Sequence, residues 1–204
     1  MKMLPLFFDM RGRKVLVIGG GKIAWRKALA FIEAGATLTV IAPEILPEFS
    51  SIGKIDLIRR KADAQDIKPS FDFAIIASSD GDANRELAKA CKSHKVFVSQ
   101  CDDFGKSDFI SAAKIDRDAI CISLYCSGVP EIAKFLKNRL GECVSQEIAA
   151  IAKVLSELRQ KIKERFPDEN ERKEFYDRFV SEKSLEKVAR DGIDKYRAEV
   201  MACL

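Results

Sequence analysis

The sequence has little of what a metal site or a disulfide framework needs. Among its 204 residues, His94 is the single histidine, and none of the six cysteines forms a C-x-x-C pair. Because a structural zinc site uses several Cys or His ligands at short spacing, no bound metal is expected. The cysteines are expected to be free thiols in a reducing compartment.

Long apolar runs and dense basic stripes are also missing. No run approaches the ~20 apolar residues of a membrane span, and the opening residues, MKMLPLFFDMRGR, lack the apolar core and cleavage site of a secretory leader. A cytoplasmic protein without a membrane partner is therefore expected. The formal net charge of +4 comes without clustered basic and aromatic residues. No nucleic-acid partner is expected, although the charge would suit an anionic small molecule.

The residues that are present predict an α/β protein. Hydrophobic residues make up 47% of the chain, which is typical of a packed globular core. Strands are predicted at 14–18, 37–41, 55–58, 72–77 and 96–98, and helices at 23–34 and 83–93. Strands that alternate with helices indicate a parallel, Rossmann-like sheet with helices on both faces.

The pattern changes after this alternation. Residues 109–124 predict two strands around a turn at 116–118, and helical periodicity begins at Pro130. Three further helices are predicted around Ile151–Ile162, Phe175–Phe179 and Leu185–Val200.

We therefore expect three parts: a Rossmann-like domain at 1–112, a small β dimerisation segment at 113–146 and a helical C-terminal domain at 147–204. The parts after residue 112 are small and amphipathic. A homodimer is expected because their apolar faces need a partner.

The chain passes from the first predicted strand to the first predicted helix through Gly19-Gly20-Gly21-Lys22-Ile23-Ala24, a G-x-G-x-x-A pattern. Gly19 permits a tight turn, Gly21 lets a diphosphate approach the backbone, and the small Ala24 lets the helix lie on the sheet. The backbone at Lys22 and Ile23 belongs to the helix N-terminus, which attracts phosphates. A dinucleotide site is predicted, and a purely structural turn is the alternative.

The end of the second strand lacks the acidic residue that usually holds the adenosine ribose. Ala42 and Pro43 stand there, with Glu44 beyond the proline, so Glu44 or the backbone would take this role. No arginine is present there to bind a 2′-phosphate, which favours NAD over NADP.

Small polar residues follow the strand predicted at 72–77. Ser78, Ser79 and Asp80 would lie at the carboxyl edge of the sheet, where ligands bind in open α/β folds. They are predicted to contact the cofactor. The alternative is that Ser79 or Asp80 caps the next helix, and both roles are compatible.

Several segments together resemble the precorrin-2 dehydrogenase family, the dehydrogenase and ferrochelatase part of siroheme synthases. The resemblance covers about two thirds of the chain and fades in the C-terminal helices. The segments are LPLFFDMRGRKVLVIGGGKIAWRKA, EAGATLTVIAPE, IIASSDGDAN, CDDFGKSDFI and KIDR.

The resemblance implies NAD-dependent oxidation of precorrin-2 to sirohydrochlorin, and some family members also insert ferrous iron as a second substrate. It places the family's general base on Asp102. The residues themselves argue less strongly: Asp102 follows a strand, at the sheet edge where a proton acceptor would be useful. The alternative is that Asp102 and Asp103 are acids of a turn.

The resemblance also implies a substrate pocket. Lys114 and Arg117, with Lys134 and Lys137, would neutralise carboxylates of the tetrapyrrole, and Ser127 falls in the loop that corresponds to the family's glycine-rich loop. Surface lysines that serve only solubility are the alternative. The chain departs from the family pattern at Ser99, Phe104, Ser107, Ala112 and Val129.

Two other functions stay open. One is a regulatory module that senses NAD without catalysis. The other is a chelatase that has kept the fold and lost redox activity, although the glycine motif disfavours it.

Overall fold

The computed structural model describes residues 3–52 and 55–204. Outside the described part lie Met1, Lys2, Gly53, Lys54 and the side chain of Phe104, which is one of the departures from the family pattern. The chain forms two compact units, Met1–Ser111 and Ala112–Leu204. The predicted division into three parts stays a prediction.

The first unit contains a five-stranded parallel sheet, as the alternation of strands and helices predicted. Its strands are β1 (Lys14–Ile18), β2 (Thr37–Ile41), β3 (Ile55–Ile58), β4 (Phe73–Ile76) and β5 (Phe97–Gln100), in the order β3-β2-β1-β4-β5. The central strands are buried on both faces because helices cover the sheet on each side.

Two helices supply that cover, α1 (Lys22–Glu33) and α2 (Gly81–Ser93). Ala24 and Ala28 of α1 pack with Val15 and Val17, which lie on one face of β1. The other face of the sheet carries Leu16 and Ile18, which pack with Leu87, Ala88 and Cys91 of α2. The small alanines of α1 allow the helix to approach the sheet closely.

The strand order creates a crevice. From β1 the chain builds the sheet outward through β2 and β3, then crosses to the other side of β1 to form β4 and β5. The loops that follow β1 and β4 therefore leave in opposite directions. In open α/β sheets, ligands bind at such a switch point, beyond the carboxyl ends of the strands.

The second unit begins with a hairpin of β6 (Ala113–Arg117) and β7 (Ile120–Leu124), antiparallel as predicted. The helices that follow are α3 (Pro130–Cys143), α4 (Gln146–Arg165), α5 (Glu169–Phe179), α6 (Glu182–Asp191) and α7 (Ile193–Ala202). The prediction of one helix over Leu185–Val200 was wrong. Gly192, with φ of +87°, separates two helices there.

Helices α4 to α7 share one apolar core. Ile151, Leu155 and Ile162 of α4 pack with Phe175 and Phe179 of α5 and with Tyr196 of α7. The buried Tyr196 hydroxyl donates a hydrogen bond to the backbone oxygen of Phe179 at 2.8 Å. In residues 3–52 and 55–204, no helix is both long and apolar enough to cross a bilayer.

Candidate active site

The glycine turn after β1 fits closely against two other segments. Gly19 has φ of +118°, and a Cβ there would lie 2.5 Å from the carbonyl oxygen of Ala77. A Cβ on Gly20 would overlap the carbonyl oxygen of Glu44. The middle glycine, a free position in the sequence motif, is therefore required by the packing of this loop.

Gly21 is different, because nothing lies within 4 Å of the position its Cβ would occupy. Its φ of −86° suits any residue. It is the N-cap of α1, without a side chain to cap the first-turn amides and without acidic residues in that turn. Such an open, uncapped helix N-terminus is suited to an anion, so the turn fits the diphosphate of a dinucleotide.

The other predicted residues of this turn lie in the first turn of α1. Ala24 is fully buried against the sheet, in agreement with its expected packing role. The side chains of Lys22 and Ile23 are exposed. Their predicted contribution is through the backbone, and exposure of the side chains is compatible with that.

A cavity of about 330 Å³ lies at the carboxyl ends of β1, β2 and β4. Six of the predicted cofactor residues line it, and their contact with a cofactor stays a prediction. They are Gly19, Ala42, Pro43, Ser78, Ser79 and Asp80.

Asp80 has the alternative role as well. It is the N-cap of α2, and its carboxylate accepts a hydrogen bond from the backbone N–H of Ala83 at 3.2 Å. It also lines the cavity. The negative charge beside the first turn of α2 is stabilised by the helix dipole.

Sequence reasoning missed Lys61 on the cavity wall. Lys61 comes shortly after β3, and β3 lies at the sheet edge beside β2. The sequence could not supply this signal, because the strand order decides which strand ends face the crevice. Near Ala42 and Pro43, Lys61 is a cation beside the region expected to hold the adenosine ribose.

Asp102 follows β5, so it lies at the same edge of the sheet as the cavity. Its carboxylate accepts a hydrogen bond from Asn84 Nδ2 at 2.8 Å. The same Nδ2 donates to the carbonyl oxygen of Ser78 at 3.0 Å, and the Ser78 hydroxyl donates to Asn84 Oδ1 at 2.5 Å. One buried amide therefore joins the predicted base to a residue of the cavity wall.

Asn84 was also missed as a site residue. It stands on the face of α2 that carries Leu87, Ala88 and Cys91, and it is only 1% exposed. A polar residue within an apolar helical stripe was the available signal. Buried polar groups of this kind need partners, and here they are Ser78 and Asp102.

The neighbouring acid, Asp103, has a different environment. Its carboxylate pairs with Lys106 at 2.7 Å, and this hydrogen bond lowers the pKa of Asp103. Asp102 is the acid joined to the cavity wall, so the geometry favours it over Asp103 as a proton acceptor.

The loop that carries Asp102 is tied to β5. The backbone N–H of Gln100 donates to Ser107 Oγ at 2.8 Å, and that of Val98 donates to the Asp108 carboxylate at 3.0 Å. Asp108 N–H returns a hydrogen bond to the Val98 carbonyl at 2.7 Å. Ser107, one of the departures from the family pattern, thus has a structural role in this loop.

The predicted substrate residues belong to the second unit. Lys114 and Arg117, with Lys137, line a cavity of about 530 Å³ there. Lys114 pairs with Asp116 at 3.0 Å, and Arg117 donates to the carbonyl oxygen of Val144. Ser127 and Lys134 are exposed. Their binding to a substrate stays a prediction.

Residues 6–113 match the family described as "Putative NAD(P)-binding". The chain belongs to this family. Residues 147–204 match the sirohaem synthase dimerisation region. Together these matches confirm the expected nicotinamide dinucleotide-binding domain and the resemblance to the first part of siroheme synthases.

This family member is similar in sequence to curated siroheme synthases. It is 32% identical over 182 residues to a siroheme synthase of Chromobacterium violaceum, a match that covers 87% of this chain and 38% of that protein. It is 30% identical over 184 residues to siroheme synthase 3 of Aeromonas hydrophila, covering 88% and 39%. The chain therefore spans less than half the length of these relatives.

A solved structure confirms the fold. The chain superposes on SirC, a precorrin-2 dehydrogenase, with a TM-score of 0.78 and 21% identity, over 98% of this chain and 100% of that one. The predicted architecture, a Rossmann-like sheet followed by a β segment and helices, agrees with this match.

Proposed function

We propose that this protein catalyses the NAD-dependent dehydrogenation of precorrin-2 to sirohydrochlorin, a step of sirohaem synthesis. Three observations support this reaction: the family of the chain, its similarity to siroheme synthases, and the glycine turn with open space at Gly21 for a diphosphate. A regulator that only senses NAD would not need a carboxylate at the cofactor crevice.

The observation that carries the proposal is the position of Asp102. Its carboxylate stands at the carboxyl edge of the sheet, joined through Asn84 to Ser78 on the cavity wall. A ligand bound in the crevice would therefore meet a proton acceptor at the same edge.

NAD, when bound, supplies the acceptor for a hydride. The open N-terminus of α1 at Gly21 would hold the diphosphate of NAD, and the polar wall formed by Ser78 and Ser79 would orient its ribose and nicotinamide. Loss of a hydride from the macrocycle requires loss of a proton elsewhere on it. Asp102 takes up this proton as the general base.

We propose NAD over NADP as the cofactor, since no arginine follows β2 at Ala42 and Pro43 to bind a 2′-phosphate. Lys61, a cation on the same cavity wall, lacks the planar fork with which an arginine binds a phosphate at two points. Comparing the two dinucleotides in the assay below measures this preference directly.

We propose that the chain works as a homodimer. Residues 147–204 match a dimerisation region, and the preceding segment, expected at 113–146, exposes apolar side chains. Val129, Ile132 and Phe135 are 43%, 50% and 62% exposed. Exposed apolar surface of this kind is typical of an interface. Lys114, Arg117 and Ser127 are proposed to bind carboxylates of the tetrapyrrole in this assembly.

We propose a cytoplasmic location. All six cysteines are free, and Cys121 and Cys143 are exposed. Exposed free thiols suit a reducing compartment.

The test is turnover of precorrin-2 with NAD, followed by the absorbance of NADH and of sirohydrochlorin. Asp102→Asn keeps an oxygen that accepts from Asn84 but cannot take a proton. It should bind NAD normally and lose turnover by roughly 100- to 10,000-fold. Asp103→Asn is the matched control and should turn over at nearly the wild-type rate.

Each failure has a separate meaning. Near wild-type turnover by Asp102→Asn would show that another group is the base. A wild-type protein that binds NAD and forms neither product would be a sensor. Consumption of sirohydrochlorin and ferrous iron without any need for NAD would identify a chelatase.

A further inference from the structure

We infer that Asn84 is a positioning residue for the reaction, holding the Asp102 carboxylate in a fixed orientation and coupling it to the wall of the dinucleotide crevice. This inference rests on the proposed function. Asn84 itself is only 1% exposed and lies under the crevice surface. It therefore acts through Asp102 and does not touch the substrate.

The hydrogen bonds of Asn84 use both of its side-chain N–H groups and its oxygen, and they determine its orientation. Its two N–H groups donate to Asp102 at 2.8 Å and to the Ser78 carbonyl at 3.0 Å, and its oxygen accepts from the Ser78 hydroxyl at 2.5 Å. If the amide were reversed, its oxygen would face a carboxylate and a carbonyl, and both contacts would be repulsive. The donors must therefore point to Asp102.

The helix that carries Asn84 is capped at its N-terminus and anchored in the core. The backbone N–H of Asn84 donates to the Asp80 carbonyl at 2.9 Å, in the first turn of α2. Asp80 caps that turn, and Leu87 and Ala88 anchor the same face of the helix in the core. A side chain held in this way keeps its hydrogen-bond partners, Ser78 and Asp102, in place relative to α2.

Asp102, in contrast, is an exposed residue in a bend after β5. Without Asn84, its carboxylate could rotate freely into solvent. Holding one oxygen, Oδ2, directs the carboxylate and leaves its other oxygen for the proton. A displacement of a catalytic group by about 1 Å lowers the rate by up to roughly a hundredfold. Loss of the hydrogen bond from Asn84 is therefore expected to lower the turnover rate.

Asn84 also joins the two halves of the site. Ser78 lines the dinucleotide cavity, and Asp102 supplies the proton acceptor. Asn84 and Asp102 are far apart in the sequence, so their hydrogen bond could not be predicted from local patterns. Ser78 keeps a second contact, since its Oγ accepts from the Asp80 N–H at 3.3 Å, so loss of Asn84 should disturb the base more than the cofactor wall.

The test is Asn84→Leu, which keeps the volume and removes all three hydrogen bonds in a stripe that already carries apolar residues. The kcat for precorrin-2 should fall by roughly 10- to 100-fold, while the Kd for NAD, measured by calorimetry, changes by less than about threefold. Cys91→Ala is the matched control. It truncates a fully buried residue on the same face of α2, so it lowers stability and should leave kcat within about twofold.

A double-mutant cycle separates positioning from general damage. In the Asp102→Asn background, Asn84→Leu should lower the residual single-turnover rate by less than about threefold, because the base it positions is already lost. An equal loss in both backgrounds, or an equal kcat loss in Cys91→Ala, would overturn the inference. So would wild-type kcat in Asn84→Leu.

The proposed function fails on a different measurement. If the unsubstituted protein turns over no precorrin-2, the reaction is wrong, and this inference falls with it. If the unsubstituted protein is active and Asn84→Leu equals it, the reaction stands and only the role of Asn84 is wrong.

Discussion

Replacing Gly21 by leucine separates the fold from the cofactor site. Gly21 has φ of −86°, and no atom lies within 4 Å of its missing Cβ. A leucine side chain would therefore enter open space at the N-terminus of α1. That space is where the proposed diphosphate approaches the backbone.

The expected magnitudes differ widely for folding and for binding. An unstrained glycine replacement changes the free energy of unfolding by less than about 1 kcal/mol. Displacing the diphosphate from two backbone amides would remove two charge-assisted hydrogen bonds, each about 1.5–3 kcal/mol. At about 1.4 kcal/mol for each tenfold change, the Kd for NAD should rise by roughly a hundredfold or more.

The assay is calorimetric titration of NAD into wild-type protein and Gly21→Leu, with thermal unfolding followed by circular dichroism. Gly20→Ala is the contrasting variant. Its Cβ would overlap the Glu44 carbonyl, so it should lower the unfolding temperature markedly. Gly21→Leu is thus expected to weaken NAD binding, whereas Gly20→Ala is expected to lower the unfolding temperature.

If Gly21→Leu binds NAD as tightly as the wild type, the diphosphate is not held at this turn, and the proposed cofactor geometry is wrong. If the variant unfolds at a much lower temperature, the open space at Gly21 has been misjudged.

Two further predictions concern stability and pH. The Asp72 carboxylate accepts from the Lys14 N–H at 2.9 Å and from Arg13 at 2.7 Å, and the Lys14 bond does most to lower the pKa of Asp72. A lowered pKa gives stability that is present above the unfolded value of about 4 and is lost as pH falls. Asp72→Ala should therefore cost about 1–2 kcal/mol in urea unfolding at neutral pH and much less at acidic pH, and an equal cost at both would contradict this. Burial raises the pKa of Tyr196 to about 12, so the stability from its hydroxyl is complete below the unfolded value of about 10 and is lost as pH rises. Tyr196→Phe should cost about 1–2 kcal/mol at neutral pH and remove this alkaline loss, and identical alkaline unfolding of both proteins would show that the hydroxyl is not responsible.

The strands of the first unit were predictable because their signals are local. β1, β2 and β3 have the predicted bounds, and the glycine turn lies between β1 and α1 as expected. Short β-branched runs predict strands, and an apolar stripe with helical spacing predicts a helix, from neighbouring residues alone. The break between α6 and α7 was missed because the apolar period continues across Gly192 from Val188 to Tyr196.

The candidate site was predictable only in part. Gly19, Ala42, Pro43 and the segment 78–80 meet in one cavity, since each follows a strand of the same parallel sheet. Lys61 was missed because local periodicity does not predict that β3 lies beside β2 in the sheet.

The sequence by itself determined where the strands and most of the helices lie, where the chain turns after β1, and which family the protein belongs to. These properties depend on neighbouring residues and on short motifs. Only the tertiary structure decided that Gly20 cannot carry a Cβ, that Asn84 is buried between Ser78 and Asp102, and that Asp103 pairs with Lys106 instead. The order of strands and the packing of helices bring distant residues into contact, and a linear pattern records neither.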